Sequence, residues 1–444
     1  MGSSPIHALP AELLFQIFGS FLSTHPHIHQ TNHRSDLKKR TTLRLVCRAW
    51  NALVLDCVTD ITAANQATHT HMLPVAWPSG LRWLEVDGSG PVKRGDRMWR
   101  EGVEDDILDG LEEVKGLRGF RMVNCLRMSD RILERLPTGL LMLGLVNQIT
   151  ERSIRPMYTA DVLAGLIQRC SRSLVELEAD AALVLSPQFL THLSTLFHLT
   201  HLTLHLPSSL ENKGRYSHLV PTCYPLPLAS LPPTLRSLII HPSDRELTTQ
   251  NTHLHLDLSI LTSTFPSTLT TFSCALLPCT STLLLALPHT LTNLTLGWGL
   301  NERTISTLTT PPPEDPTAPV RGAFLATLTH LTLYDSRDIS GARLLALLRC
   351  TPELETLRLE TYNAPGLLRS PSFLSSMDRN AVMVAYLPPR LRRFEFAESW
   401  VMWKRCKVPE GCVVVDHFRR FVDEVQRSDG EGDYYKRMLR AMLR

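Results

Sequence analysis

Apolar residues along most of this chain recur as a short stencil, Leu-x-x-Leu-x-Leu, in which other apolar side chains stand in for leucine. It occurs at Leu81-Leu84-Val86, Leu117-Phe120-Met122, Leu140-Leu143-Leu145, Leu174-Leu177-Ala179, Leu199-Leu202-Leu204 and Leu235-Leu238-Ile240. It returns at Leu269-Phe272-Cys274, Leu291-Leu294-Leu296, Leu328-Leu331-Leu333, Leu354-Leu357-Leu359 and Leu391-Phe394-Phe396. These eleven segments start 22 to 37 residues apart, and no anchor position is charged. In six of them a proline stands three residues before the first anchor: Pro78, Pro137, Pro232, Pro266, Pro288 and Pro388. Proline lacks an N–H and fixes its own φ, which suits a turn that delivers the chain into a strand.

The last two anchors of each segment alternate, so they point to one side of a short strand while their neighbours point to the other. One strand per unit followed by a longer return predicts a parallel sheet with its returns over one face. Two returns, residues 160–170 and 341–350, carry a helical pattern and place Cys170 and Cys350 four residues before the next first leucine. Residues 207–233 and 311–319 are proline-rich and are expected to form loops. Eleven strands at ~4.8 Å would span about 50 Å, a length suited to a large ligand. Between roughly residues 75 and 400 the chain resembles the leucine-rich-repeat family. That resemblance implies an α/β solenoid of about eleven units, a parallel sheet with helical or irregular returns. Apolar residues at 414, 415, 418, 421, 422 and 425 then predict a helix that caps the array, followed by a basic tail, so that the array covers 63–412 and the cap 413–444.

Residues 1–62 have a different composition. Leu13, Leu14, Ile17, Phe18, Phe21 and Leu22 form a helical stripe, with Leu9 and Pro10 at its start. A polar insert at 23–36 holds His25, His27, His29 and His33, and beyond it Leu45, Val46, Trp50 and Leu53 again recur at helical intervals. Three short helices make a poor independent core, so part of this apolar surface suits a partner. The blocks Leu-Pro-x-Glu-Leu-Leu-x-x-Ile-Phe and Leu-Val-Cys-Arg-x-Trp-Asn resemble an F-box. The resemblance implies a small all-α domain over 1–62 that binds a Skp-type adaptor and, through it, a cullin scaffold in an SCF ubiquitin ligase. Leu9, Pro10, Leu13, Leu14, Ile17, Phe18, Leu45, Val46 and Trp50 would carry the adaptor contact; Leu14, Ile17, Val46 and Trp50 would equally hold the three helices together.

Composition narrows the function. A formal net charge of +3 gives no overall pull toward nucleic acid or an anionic membrane, so neither is expected as a partner. No apolar run is long enough to cross a bilayer, and the N-terminal residues lack the layout of a signal peptide. Ten cysteines without a Cys-x-x-Cys pair predict a reduced chain in the cytoplasm, the nucleus or both. The sequence contains no phosphate loop, no dinucleotide fingerprint, no zinc-protease pair and no nucleophile elbow. The histidines at 25–33 read as a solvated loop rather than a zinc site, and no cofactor or metal is expected.

Binding then falls to the strand face opposite the leucines. Trp83, Arg121, Glu176, Glu178, His201, His205, His330, Tyr334, Arg358 and Arg393 occupy it, together with Glu85, Asp180, His241 and Glu395. Aromatic residues and arginine are enriched where interfaces hold tightly, although a solvated strand face is polar in any case. The expected function is a non-catalytic substrate receptor of a ubiquitin ligase, with repeats that hold a protein. An interaction scaffold outside the ligase is the alternative, and a repeat-containing enzyme or enzyme regulator is a more distant one.

Overall fold

Residues 60–64, 80–87, 111–123 in part, 129–146, 159–180, 187–206, 223–225, 230–242, 255–257, 265–274, 281–297, 302–309, 322–334, 341–360, 387–396 and 409–416 are described by the computed structural model. The F-box-like segment before Asp60, its polar insert, the proline-rich stretch 311–319 and the C-terminal tail lie outside them. The chain divides into two compact units, residues 1–199 and 200–444.

The first unit contains five parallel strands that pair in chain order: β1 (Asp60–Ala64), β2 (Trp83–Asp87), β3 (Gly119–Val123), β4 (Met142–Val146) and β5 (Glu176–Asp180). Helix α1 (Asp130–Arg135) lies between β3 and β4, α2 (Ala160–Cys170) between β4 and β5, and α3 (Pro187–Leu193) follows β5. The helices are tied by specific polar contacts. Thr159 accepts from Val162 N as the α2 N-cap at 3.4 Å, and its own N–H donates to the Asp130 carboxylate at 2.6 Å. Arg169 Nη2 donates to the carbonyls of Leu133 (2.9 Å) and Glu134 (3.3 Å), groups that the last turn of α1 leaves unpaired.

The second unit contains β6 (His201–Leu206), β7 (Cys223–Pro225), β8 (Ser237–Pro242), β9 (His255–Asp257), β10 (Thr271–Cys274), β11 (Asn293–Leu296), β12 (His330–Tyr334), β13 (Thr356–Glu360), β14 (Arg393–Phe396) and β15 (Val413–Asp416). Eight of these form one parallel run in the order β6-β8-β10-β11-β12-β13-β14-β15, while among the described residues β7 and β9 pair with each other. Helices α4 (Ser281–Leu285), α5 (Glu302–Thr309) and α6 (Gly341–Arg349) and a 3-10 turn, Ala323–Thr327, make up its described returns.

Every stencil segment is a strand, so the α/β repeat architecture is present, and the alternation within the stencil sets its faces. All anchors whose side chains are described are buried, most of them at 0–3% exposure. Burying such a side chain contributes about 1.5–3 kcal/mol before ordering costs are counted. Three expectations are corrected. The chain from Val413 was expected to continue as a cap helix but opens as a strand: three successive β-branched valines favour extended backbone, and Val413 to Asp416 pair with Arg393 to Phe396. Asp60–Ala64, at the edge of the expected all-α domain, is likewise a strand paired with β2. The proline-rich stretch 207–233, expected to be loop throughout, contains β7.

The prolines act in the turn before each strand. Leu235 N, Leu269 N, Leu291 N and Leu391 N donate to the carbonyls of Pro232, Pro266, Pro288 and Pro388 at 3.0–3.2 Å. A junction then joins consecutive units: the carbonyl one residue past the first anchor accepts two N–H groups of the next unit. Thr292 O, for example, accepts from Thr329 N (2.8 Å) and His330 N (2.9 Å).

A second set of bonds gives three of the threonines a structural role. The residue just before the first anchor reaches back to the preceding unit. Thr268 Oγ1 lies 2.7 Å from Pro233 O and 2.8 Å from Leu235 O. Thr290 Oγ1 lies 2.7 Å from Ser267 O and 2.9 Å from Leu269 O, and Thr327 Oγ1 lies 2.7 Å from His289 O and 3.0 Å from Leu291 O. Ser173 does the same to Thr138 O at 3.1 Å. Where these positions hold Glu353 and Arg390, the two side chains pair with each other instead.

Replacing Thr290 with Val keeps its shape and removes this bond. Stability should fall by about 1 kcal/mol, read as a lower denaturation midpoint, and Thr290→Ser should restore most of it. Burial raises the Cys170 thiol pKa above its ordinary value of 9.0, outweighing the Leu140 backbone and Arg169, which favour the thiolate. Its stabilising contribution is therefore present below about pH 9 and lost as pH rises further, because the unfolded thiol then loses its proton first. Alkylation of native Cys170 by iodoacetamide should be slow, and fast once the chain is unfolded in denaturant.

Candidate binding face

The strand face opposite the anchors is built from rows set by the register. In the first unit one row runs Trp83, Gly119, Met142, Glu176, and the next Glu85, Arg121, Gly144, Glu178. The two glycines decide how the long side chains lie. A Cβ at Gly119 would sit 1.9 Å from Cε3 of Trp83, and one at Gly144 would sit 2.6 Å from Cγ of Arg121. Each glycine thus leaves a bare stretch of strand across which the side chain of the preceding strand lies flat.

Laid over β4 in this way, Arg121 reaches Glu178 on β5. Its Nε and Nη2 donate to Oε2 and Oε1 of Glu178 at 2.8 and 3.1 Å, a bidentate pair. Nη1 also lies 3.5 Å from Oε2 of Glu85 on β2. The Arg121 and Glu178 side chains are only 16% and 13% exposed. Burial works against the guanidinium charge, yet the bonds and charges of Glu178 and Glu85 outweigh it, and the pKa of Arg121 is raised. Trp83, Arg121, Glu176 and Glu178 are thereby brought together on one surface. Arg121 is committed to carboxylates of its own chain, which leaves the surface with more acidic than basic groups among the described residues.

In the second unit the corresponding row runs His201, Ser237, Thr271, Asn293, His330, Thr356, Arg393. His201 and His330 are exposed, and each lies beside the hydroxyl of the preceding threonine: Thr200 Oγ1 is 2.8 Å from His201 Nδ1 and Thr329 Oγ1 is 2.9 Å from His330 Nδ1. Asn293 Nδ2 donates to Thr271 Oγ1 at 3.2 Å. Tyr334 and Arg358 are half-buried and Arg393 is exposed. Arg393 pairs with Glu395, whose other oxygen lies 3.5 Å from Arg358 Nε.

His205 departs from the expected solvent-facing pattern. It is 5% exposed and lies 5.6 Å from the His241 ring, centroid to centroid, with the rings 32° apart. Glu395, 6% exposed, is buried in the same way. The sequence places both on the open face; Glu395 lies against Arg358 and Arg393, and His205 beside the His241 ring. Among the described residues no group of three or more His, Cys, Asp or Glu side chains could hold a metal ion. The expected adaptor-contact residues Leu9, Pro10, Leu13, Leu14, Ile17, Phe18, Leu45, Val46 and Trp50 lie outside the described residues.

No protein-family model matches the sequence, and no curated protein matches it. Among solved structures the chain is similar to one described as the crystal structure of the Rad7 and Elc1 complex in yeast. That similarity has 12% identity and a TM-score of 0.34, and covers 83% of this chain and 92% of the other.

A double-mutant cycle on Arg121→Ala and Glu178→Ala tests the flat pair. With both side chains largely shielded from solvent, a coupling of about 1–3 kcal/mol is expected from denaturation midpoints. Glu176→Ala, one row away, should cost less than about 0.5 kcal/mol.

Proposed function

We propose that the chain is a non-catalytic substrate receptor of an SCF-type ubiquitin ligase, working in the cytoplasm or nucleus. Its F-box-like segment binds a Skp-type adaptor and, through it, a cullin, while the open strand face holds the protein to be modified. The observation that carries the binding half is the separation of faces: buried anchors on one side of each stencil strand, and polar and aromatic side chains on the other. Such a surface recognises by shape and polar pairing, as a receptor must, and it needs no cofactor. The ligase half rests on the sequence blocks at Leu9–Phe18 and Leu45–Asn51. The mechanism is proximity: a held protein experiences a high effective concentration of the charged conjugating enzyme.

Affinity capture of the full-length chain beside a Leu9→Ala, Pro10→Ala, Ile17→Ala variant tests this. Adaptor and cullin should accompany the parent and be lost from the variant, with bound client proteins retained by both. Recovery of clients without adaptor or cullin from the parent would make the chain an interaction scaffold outside the ligase.

A further inference from the structure

Lysine is distributed along this chain in a way the fold does not require. Eight lysines, at 38, 39, 93, 115, 213, 404, 407 and 436, stand against 38 arginines. Between residues 116 and 403, through nearly the whole repeat array, Lys213 stands alone against 23 arginines. Outside that span 7 lysines accompany 15 arginines, so a chain-wide preference for arginine does not explain the contrast.

Structural demand for a guanidinium does not explain it either. Arg121 and Arg169 do use the planar fork, one on a carboxylate and one on two carbonyls, and an ammonium would not replace it. Arg118, Arg236, Arg303 and Arg392 are different. They are exposed, and their side chains join no hydrogen bond or ion pair among the described residues. Lysine would serve at such positions as well for solubility and charge.

One chemical property separates the two cations. Lysine titrates near ~10.4 and yields a nucleophilic amine, whereas the guanidinium stays protonated. In ubiquitin transfer an unprotonated Nζ attacks the thioester carbonyl carbon of the loaded conjugating enzyme. The C–N bond forms, the C–S bond breaks, and the enzyme's sulfur leaves with the proton that the amine gives up.

We infer that the array is lysine-poor because it works beside a ubiquitin thioester: arginine supplies positive charge while denying the transfer reaction an acceptor. This rests on the ligase function proposed above and adds a regulatory consequence. Modification of the chain itself is confined to Lys213 and the lysines outside 116–403, so that the stretch of the array from 116 to 403 offers ubiquitin one lysine.

The test installs acceptors. Full-length Arg118→Lys, Arg236→Lys and Arg392→Lys chains are purified with adaptor and cullin. Each is incubated with ubiquitin and its activating and conjugating enzymes, and the modified lysines are mapped by mass spectrometry. Variants are scored where an N-hydroxysuccinimide acetate footprint shows the new amine to be accessible. Conjugation at the installed lysines, with several-fold faster loss of the unmodified chain than in the parent, is the expected result. Installed amines that acetylate yet take no ubiquitin, while native lysines do, overturn the inference and leave the ligase function standing. Failure of adaptor and cullin to co-purify with the parent overturns both, and it is seen before any transfer is measured.

Discussion

A single backbone junction governs this structure. In nine of the eleven stencil units the carbonyl one residue past the first anchor accepts two N–H groups from the following unit: Arg118 O from Leu141 and Met142, Arg236 O from Thr270 and Thr271, Glu355 O from Arg392 and Arg393. The junction lies at the upstream end of the strands, so it ties their register where pairing begins. A slip of one residue would turn every leucine to the wrong face, and burial of whole rows of anchors opposes that. With register settled locally, the returns are released from the task. This is why intervals from 22 to 37 residues, and returns ranging from an eleven-residue helix to a 3-10 turn, coexist beside an unbroken strand pattern.

The open face inherits its order from the same constraint. Fixed register puts Gly119 beside Trp83 and Gly144 beside Arg121, and absence of a side chain at those two places lets an indole and a guanidinium stem lie flat. The result is a polar surface whose groups are held before any partner arrives, which lowers the ordering cost of binding. The Arg121–Glu178 pair, 57 residues apart in sequence, therefore shapes the surface more than it stabilises the fold.

Much of this was legible from the chain. Period-two alternation within each stencil identified the strands and their buried side, and the Pro-x-x-Leu turns marked where they start. What escaped has specific causes. Val413–Asp416 lacks the stencil, and a run of consecutive valines gives no alternation to separate a strand from one face of a helix. β7 and β9 are three residues each, too short for periodicity to register. On the face, alternation told which residues point outward but not how far their neighbours fold over them. His205 and Glu395 were thus expected in solvent, and the reach of Arg121 across β4 depended on a glycine whose partner strand was unknown until the register was known.

The contact just before each first leucine also records how such a chain can grow. Units that present threonine there reach for main-chain carbonyls, which every unit possesses. The threonine contact therefore asks nothing of the side chains of the unit it joins. Glu353 and Arg390 reach for each other's side chains, so this contact depends on which residue the neighbouring unit presents. Gene duplication or recombination could lengthen the threonine stretch one module at a time and leave a sound joint. An insertion between Glu353 and Arg390 would separate a matched pair, so extension there loses a contact that extension within the threonine stretch keeps.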